Sequence, residues 1–448
     1  MAKQDCCKYM LETLLLISLG VTTSQTCLAD EAKPALTTKH YNIILIISDQ
    51  EAYHLLPAKN YSLPAREELS RHSVAFTNHY TAAAMCSPSR ATLLTGVPPQ
   101  VNRIYDQEEY DYVPVLDPKR PNMGSVLKQL GYHTAYFGKF EMDKKLLQIS
   151  DTKNYSTLAQ PYGFDVFNYD GDIGGNPLQG YTHDPYFVGE AVRWLRKNAQ
   201  STNAQPFFLV ISLLNPHDIM YGDANIPGTV QAQQPQAHVI FPPPANTLYD
   251  DTWQFDLPKS LSESLTAKGM PQALNQYQQG WTGTLGLIPV NRPDMWVYYY
   301  NYYLNAIRDN DHNLQIVIDT LNQMDLWKDT VVIFTADHGE MGGAHGGLRG
   351  KGPMAYEENS HIPLIIAHPK ASQGSSCTAL TSHLDMLPTL VGLTGLSDAT
   401  VKQVNQKFPG HDFSSVILNS KTAGVHAIRP AVLFNYVGIS TIDGKYLL

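Results

Sequence analysis

The chain has 448 residues, 43% of them hydrophobic and 16% charged, with a formal net charge of −9. These values describe an ordinary globular protein with a large core and room for two unequal domains. The acidic balance argues against a general nucleic-acid binder and means that an anionic substrate must be held by a local cluster of positive groups.

Residues 1–29 open with Lys3 and Lys8, continue through an apolar stretch over 14–21, and close on the small residues of Cys27-Leu28-Ala29. This pattern predicts a signal peptide and an exported protein, periplasmic or secreted. The stretch is too short to span a bilayer, and no other long apolar segment suggests a membrane span. Of the five cysteines, only Cys86 and Cys377 lie beyond this leader; a bridge between them is the alternative to a reactive Cys86.

Residues 42–48 (NIILIIS) form a near-continuous aliphatic run, which predicts a strand buried on both faces of a parallel sheet. It ends at Asp49-Gln50. In open α/β sheets ligands sit beyond the carboxyl ends of strands, although an Asp there equally serves as a turn or helix cap. A helix is predicted over 63–72 and a short strand over 74–80. The stretch 85–96 (MCSPSRATLLTG) then reads as a loop delivering Cys86 to a helix N-terminus, where backbone N–H groups and the dipole favour an anion. Arg90, one turn in, supplies a planar fork suited to a tetrahedral oxyanion. The competing reading is a buried, inert thiol.

A helix over 122–130 and a strand over 133–137 lead to Gly138-Lys139. Residues 186–198 have helical character. A second apolar strand over 206–214 runs into Asn215-Pro216-His217, where the histidine either protonates a leaving group or is structural. Over 226–293 Pro, Gln and Gly dominate, predicting a long, mostly irregular excursion with short helices. Helical spacing returns from Val297 to Leu321, interrupted by Asp311; its tyrosines between 298 and 303 suit packing first and pocket lining second. A third buried strand, 330–335, ends at Asp337-His338-Gly339.

Cys86-Ser87-Pro88-Ser89-Arg90 followed by Leu94-Thr95-Gly96 resembles the sulfatase signature. GYHTAYFGK around Lys139 resembles the second signature of that family. Asp337-His338-Gly339-Glu340, Lys351-Gly352, Tyr356-Glu357-Glu358 before His361-Ile362-Pro363-Leu364, and the segment 382–396 with Asp385 near its start continue the pattern in order. The resemblance implies an α/β, alkaline-phosphatase-like fold: a largely parallel central sheet with helices on both faces, and a catalytic domain over 38–400. A small C-terminal subdomain is expected over 401–448. It is expected to be shortened, because the hairpin signal Ile442-Asp443-Gly444-Lys445 lies close to the last residue, where family members continue.

The resemblance further implies a sulfuric ester hydrolase that cleaves a sulfate monoester to alcohol and sulfate. Its nucleophile is the hydrate of formylglycine, made from Cys86 by a maturation enzyme. One divalent cation, Ca²⁺ with Mn²⁺ as the alternative, would be held by Asp49, Gln50, Cys86, Asp337 and His338. Arg90, Lys139 and Lys351 would neutralise the sulfuryl oxygens, and His217, with Lys351 sharing the task, would protonate the leaving group. His345 either supports the site or pairs with backbone. The chain departs from the common pattern at Phe137, at Glu141 where a histidine is usual, and at Gln50 and His338, a pairing similar to the choline-sulfatase and phosphonate-monoester-hydrolase branches. The substrate class is a small-molecule or carbohydrate sulfate ester. The alternatives are a phosphodiesterase or phosphonate hydrolase on the same scaffold, a non-catalytic binder of sulfated ligands, and a thiolate hydrolase with His217 as base.

Overall fold

Alternation along the first strand, β1 (Asn42–Asp49), sends Ile43, Leu45 and Ile47 into one apolar cluster and Ile44 and Ile46 into another. A strand with a two-residue side-chain repeat does this when both faces of its sheet are covered. The computed structural model describes residues 40–147, 154–199, 205–236, 239–419, 423–439 and 446–447. The leader expected over 1–29 and the turn expected at 442–445 lie outside the described residues.

The other strands of the central sheet are β2 (Ser73–Phe76), β3 (His133–Gly138), β4 (Val166–Phe167), β5 (Phe207–Pro216), β6 (Thr330–Ala336), β7 (Leu364–Ala367) and β8 (Ser375–Cys377). Their order is β4-β3-β5-β1-β6-β7-β2-β8. All neighbours are parallel except β7, which runs antiparallel to both β6 and β2.

On one face lie α2 (Cys86–Thr95) and α5 (His383–Gly392), contributing Ala91, Leu93, Leu387 and Leu390 to the core. On the other face lie α1 (Pro64–Arg71), α3 (Gln179–Asn198) and the second half of α4 (Pro293–Gln323), with Leu69, Val188, Leu314 and Ile318 inside. The first half of α4 packs Tyr299, Tyr300, Tyr302 and Tyr303 against Ile219, Tyr249 and Leu261. These contacts absorb much of the 226–293 excursion, whose described residues include the 3₁₀ turns Thr247–Tyr249 and Lys259–Ser262 and the helix Gln272–Leu285. Among the described residues no helix is long and apolar enough to cross a membrane.

Two features differ from the local sequence signals. Helix α3 begins at Gln179, not near 186, and carries Pro185 inside it. Its first free N–H groups, on Gly180 and Tyr181, donate to the Asp218 carboxylate at 3.0 and 2.9 Å, so a residue far along the chain supplies the missing cap. Asp311 interrupts the apolar stripe of α4 for a related reason. It accepts the N–H groups of Ala65 and Arg66 at 3.0 Å each and caps α1 from outside.

Residues 38–448 form one compact unit. Beyond α5 it contains the helices Asp398–Asn405 and Ser414–Leu418. The chain then returns over the unit: Leu380 N–H donates to the Val425 carbonyl and Asn435 N–H to the Ala82 carbonyl, both at 2.7 Å. Gly438–Ile439 pairs antiparallel with Tyr446–Leu447.

Candidate active site

Strands β3, β5, β1 and β6 are consecutive and parallel, so their carboxyl ends open on one edge of the sheet. That edge gathers Lys139 just after β3, His217 after β5, Asp49 at the end of β1 and Asp337 after β6. Helix α2 presents its N-terminus to the same place. Met85 enters in extended conformation and Cys86 is the first helical residue. Ser89, one turn in, donates to the Asp337 carbonyl at 2.6 Å and fixes the helix to the end of β6.

The Cys86 sulfur is fully buried and meets four polar groups. Lys351 Nζ and Lys139 Nζ donate to it at 2.6 and 3.3 Å, while Asp49 Oδ1 lies at 3.7 Å and His338 Nε2 at 3.4 Å. A thiol is a weak donor and weak acceptor and uses such a set poorly; two hydroxyls on one carbon would use it well. Burial, with Asp49 adding to it, pushes the Cys86 thiol up to about 12, against the pull of both lysines. A resting thiolate is therefore disfavoured, which weighs against the thiolate-hydrolase reading. Cys86 and Cys377 are both free thiols, so the alternative bridge between them does not form.

Asp49, Cys86, Asp337 and His338 bring their ligand atoms within 4.8 Å of one another. Asp337 is held in place by the N–H groups of Gln50 and His338, at 3.0 and 2.8 Å. His338 directs Nδ1 to the Gly339 carbonyl at 3.0 Å. The carbonyl only accepts, so Nδ1 carries the proton and Nε2 faces the carboxylates as a bare lone pair. Burial lowers this imidazole to about 4. Gln50 spends its amide nitrogen on Glu340 Oε2 at 2.7 Å and leaves Oε1 buried without a hydrogen-bond partner. Two carboxylates, one bare imidazole nitrogen and an unspent amide oxygen are a donor set that fits a divalent cation.

Arg90 lies within reach of both strand-end aspartates. One of its terminal nitrogens donates to the Lys139 carbonyl and Ser212 Oγ at 2.9 and 2.6 Å. The other lies 3.1 Å from Asp49 Oδ2 and 2.9 Å from Asp337 Oδ2. One terminal nitrogen thus bridges the two aspartates and the other ties α2 to the ends of β3 and β5, while Nε is left without a partner. Burial works to raise the Asp49 carboxyl, but Lys139, His217, Lys351 and Arg90 outweigh it and hold that carboxyl well below its usual range.

Lys139 also pairs with Glu141 at 3.0 Å, and Glu141 Oε2 accepts from Ser87 Oγ at 3.3 Å. The residue standing where a histidine was expected therefore sits beside the nucleophile position. Burial pushes it up to about 8. His217 is buried with Nδ1 unpartnered, and burial together with Lys351 holds its imidazole well below the ordinary value. Gly175 covers this corner. A Cβ on it would stand 3.0 Å from His217 Cε1 and 3.1 Å from Lys139 Nζ, and its φ is +81°. His345 belongs elsewhere, stacked on Tyr356 and lying 3.4 Å from both Glu263 and Glu358.

A family model for sulfatases matches residues 41–396, from the start of β1 past the end of α5. The chain belongs to the sulfatase family. It is accordingly a sulfuric ester hydrolase. Among its relatives, arylsulfatase K of Xenopus laevis is 26% identical over 404 residues, covering 86% of this chain and 67% of the relative. An ulvan-active sulfatase of Formosa agariphila is 24% identical, covering 88% and 68%. Solved structures share the fold: a 2-O GAG sulfatase superposes with a TM-score of 0.63 at 20% identity over 87% of this chain and 76% of that one. A phosphonate monoester hydrolase from Silicibacter pomeroyi superposes with 0.61 at 20% identity over 85% and 77%. A further protein, solved in complex with its substrate D-glucosamine-2-N,6-O-disulfate, gives 0.58 at 19% identity over 91% and 86%.

Several residues that complete this sulfatase's site carry no local sequence signal. Tyr303 Oη donates to the Gln50 carbonyl at 2.8 Å and accepts from Ala52 N–H at 3.0 Å, fixing the turn in which Gln50 takes a φ of 70°. Glu340, besides holding Gln50, accepts from Tyr299 Oη at 3.2 Å and from Gly350 N–H at 2.8 Å, which ties the loop carrying Lys351 to the metal side. Only Glu340 could have been noticed in the sequence, through its place in the Asp337-to-Glu340 block.

Proposed function

We propose that this sulfatase hydrolyses a sulfate monoester of a carbohydrate, using formylglycine made from Cys86 by a maturation enzyme and one divalent cation, Ca²⁺ before Mn²⁺. The observation that carries the reading is the polar set around Cys86: two ammonium donors, one carboxylate and one bare imidazole nitrogen converge on a single buried side chain. As the hydrate, residue 86 would supply the hydroxyl for attack on sulfur, and the cation, when bound, would supply positive charge beside it. Asp49, Gln50, Asp337 and His338 would hold the cation. Oxygen-rich donors favour Ca²⁺, and the imidazole keeps Mn²⁺ open.

The chain's own residues do the rest. Burial works to lower Lys139 and Lys351, but the Asp49 carboxylate beside them keeps both ammonium groups protonated, and they neutralise the sulfuryl oxygens as charge builds on them. Arg90 positions the two aspartates. His217 and Lys351 share the protonation of the leaving alcohol: Lys351 already donates to residue 86, and His217, neutral in the resting site, can carry a proton once the sulfate's charge offsets the neighbouring lysines. A carbohydrate alcohol is supported by the ulvan-active relative and by the neighbour solved with a glucosamine disulfate. Export, read from residues 1–29, belongs to the same proposal.

Kinetics on a panel of sulfated sugars, an aryl sulfate and an aryl phosphonate test the substrate class; preference for the phosphonate would overturn it. Cys86→Ala is expected to abolish turnover while leaving the melting temperature within a few degrees, and Asp337→Asn to lower the metal content measured by elemental analysis. Retained turnover in the first variant would remove the nucleophile assignment.

A further inference from the structure

A second convergence of ligand-type side chains lies at His54, Glu357 and His361, whose candidate ligand atoms all fall within 4.8 Å of one another. His361 is the buried member; the other two are exposed. Its Nε2 lies 3.0 Å from the Thr77 carbonyl. A carbonyl oxygen only accepts, so that nitrogen carries the proton. Nδ1 then faces Glu357 Oε2 at 2.8 Å, another acceptor. A ring with one proton is neutral and here meets an acceptor at both ends, so the arrangement needs one positive charge: a second proton on the ring or a cation shared with the carboxylate.

Three further contacts favour the cation. The His361 ring is held between Tyr53, stacked at 4.2 Å and 8°, and Tyr80, stacked at 4.5 Å and 23°, so its orientation is fixed in advance. Tyr80 Oη donates to both Glu357 oxygens, at 3.1 and 3.3 Å, and orients that carboxylate. The exposed His54 ring stands perpendicular to His361 at 4.8 Å. A histidine whose far nitrogen donates to a backbone carbonyl, beside a carboxylate and a second imidazole, has the surroundings of a metal-ligating histidine.

We infer that His54, Glu357 and His361 form a surface zinc site, separate from the sulfate-cleaving centre, with a fourth position open to solvent. Two imidazoles and one carboxylate match the preferences of Zn²⁺, whereas Ca²⁺ and Mg²⁺ demand more oxygen ligands than this corner offers.

The test uses the full-length protein, stripped with a chelator and then kept in excess Ca²⁺ so that the oxygen-rich catalytic centre is occupied. Zn²⁺ is titrated in by calorimetry, in parallel with His54→Ala and Glu357→Gln. Both substitutions lie at exposed positions, which limits their effect on folding. The wild type is expected to take up about one zinc equivalent more than either variant, with aryl sulfate turnover in Ca²⁺ alone unchanged in His54→Ala. Equal zinc uptake in all three proteins, or none in the wild type, would overturn the site and leave the ring holding a second proton instead. Either result is independent of whether Cys86 is matured, so it does not bear on the proposed sulfatase chemistry.

Discussion

Cys86, Asp49 and Asp337 were visible in the sequence because each adjoins a run with an unmistakable pattern: the first opens a helix, the other two close aliphatic strands. Their supporting residues were not. Gly175 sits in an irregular segment and acts by lacking a side chain, which leaves no trace in local composition. Gly175→Ala forces a Cβ against His217 and Lys139 at a backbone angle unfavourable to alanine. It is expected to lower kcat/KM by at least about tenfold, equivalent to roughly 1.4 kcal/mol of transition-state binding, with the fold retained by circular dichroism. Unchanged kinetics would show that the corner is slack. Arg90 gives the complementary lesson. Its position was readable and its partners were not, because a guanidinium one turn into α2 reaches sulfate or strand ends equally well, and only the tertiary structure places the two aspartates between.

At the scale of elements, β1, β5 and β6 were legible because strands buried on both faces must be apolar throughout, whereas α3 was predicted too short because its cap comes from Asp218. Capping from a distance recurs where α4 meets α1. Asp311→Ala leaves the N–H groups of Ala65 and Arg66 without their acceptor and is expected to cost about 1–2 kcal/mol in urea denaturation, the usual range for a lost cap. A change below about 0.3 kcal/mol would mean that water replaces the carboxylate freely. The loop beside α2 predicts a pH effect. Glu108 is buried, with neither carboxyl oxygen hydrogen-bonded, and burial, then Asp172 and Glu141, push it up to about 10. A carboxyl raised above its unfolded value binds protons more tightly when native. Its stabilising contribution is therefore present at low pH and lost as pH rises toward 10. Melting curves between about pH 5 and 9 should fall more steeply for wild type than for Glu108→Gln; parallel curves would contradict the assignment.

For the molecule as a whole, the order β3-β5-β1-β6 explains why residues as far apart as 49 and 337 share one centre. A sequence shows each strand but not which strands are neighbours, so the shared edge had to come from the family resemblance. The excursion over 226–293 was recognised only as irregular, since its packing depends on tyrosines of α4 that carry no pairing code. One feature of the finished fold also constrains how the enzyme is made. The sulfur of Cys86 has no exposed surface and lies under the ammonium of Lys351, which is synthesised 265 residues later. If residue 86 is oxidised as proposed, the maturation enzyme would have to meet the segment around Cys86 on the nascent or unfolded polypeptide, before the later half of the chain seals it. Incubating the maturation enzyme with natively folded and with urea-unfolded precursor, followed by peptide mass spectrometry, should show conversion only in the unfolded sample. Conversion at equal rates in both would mean that the Lys351 loop opens readily in the native protein.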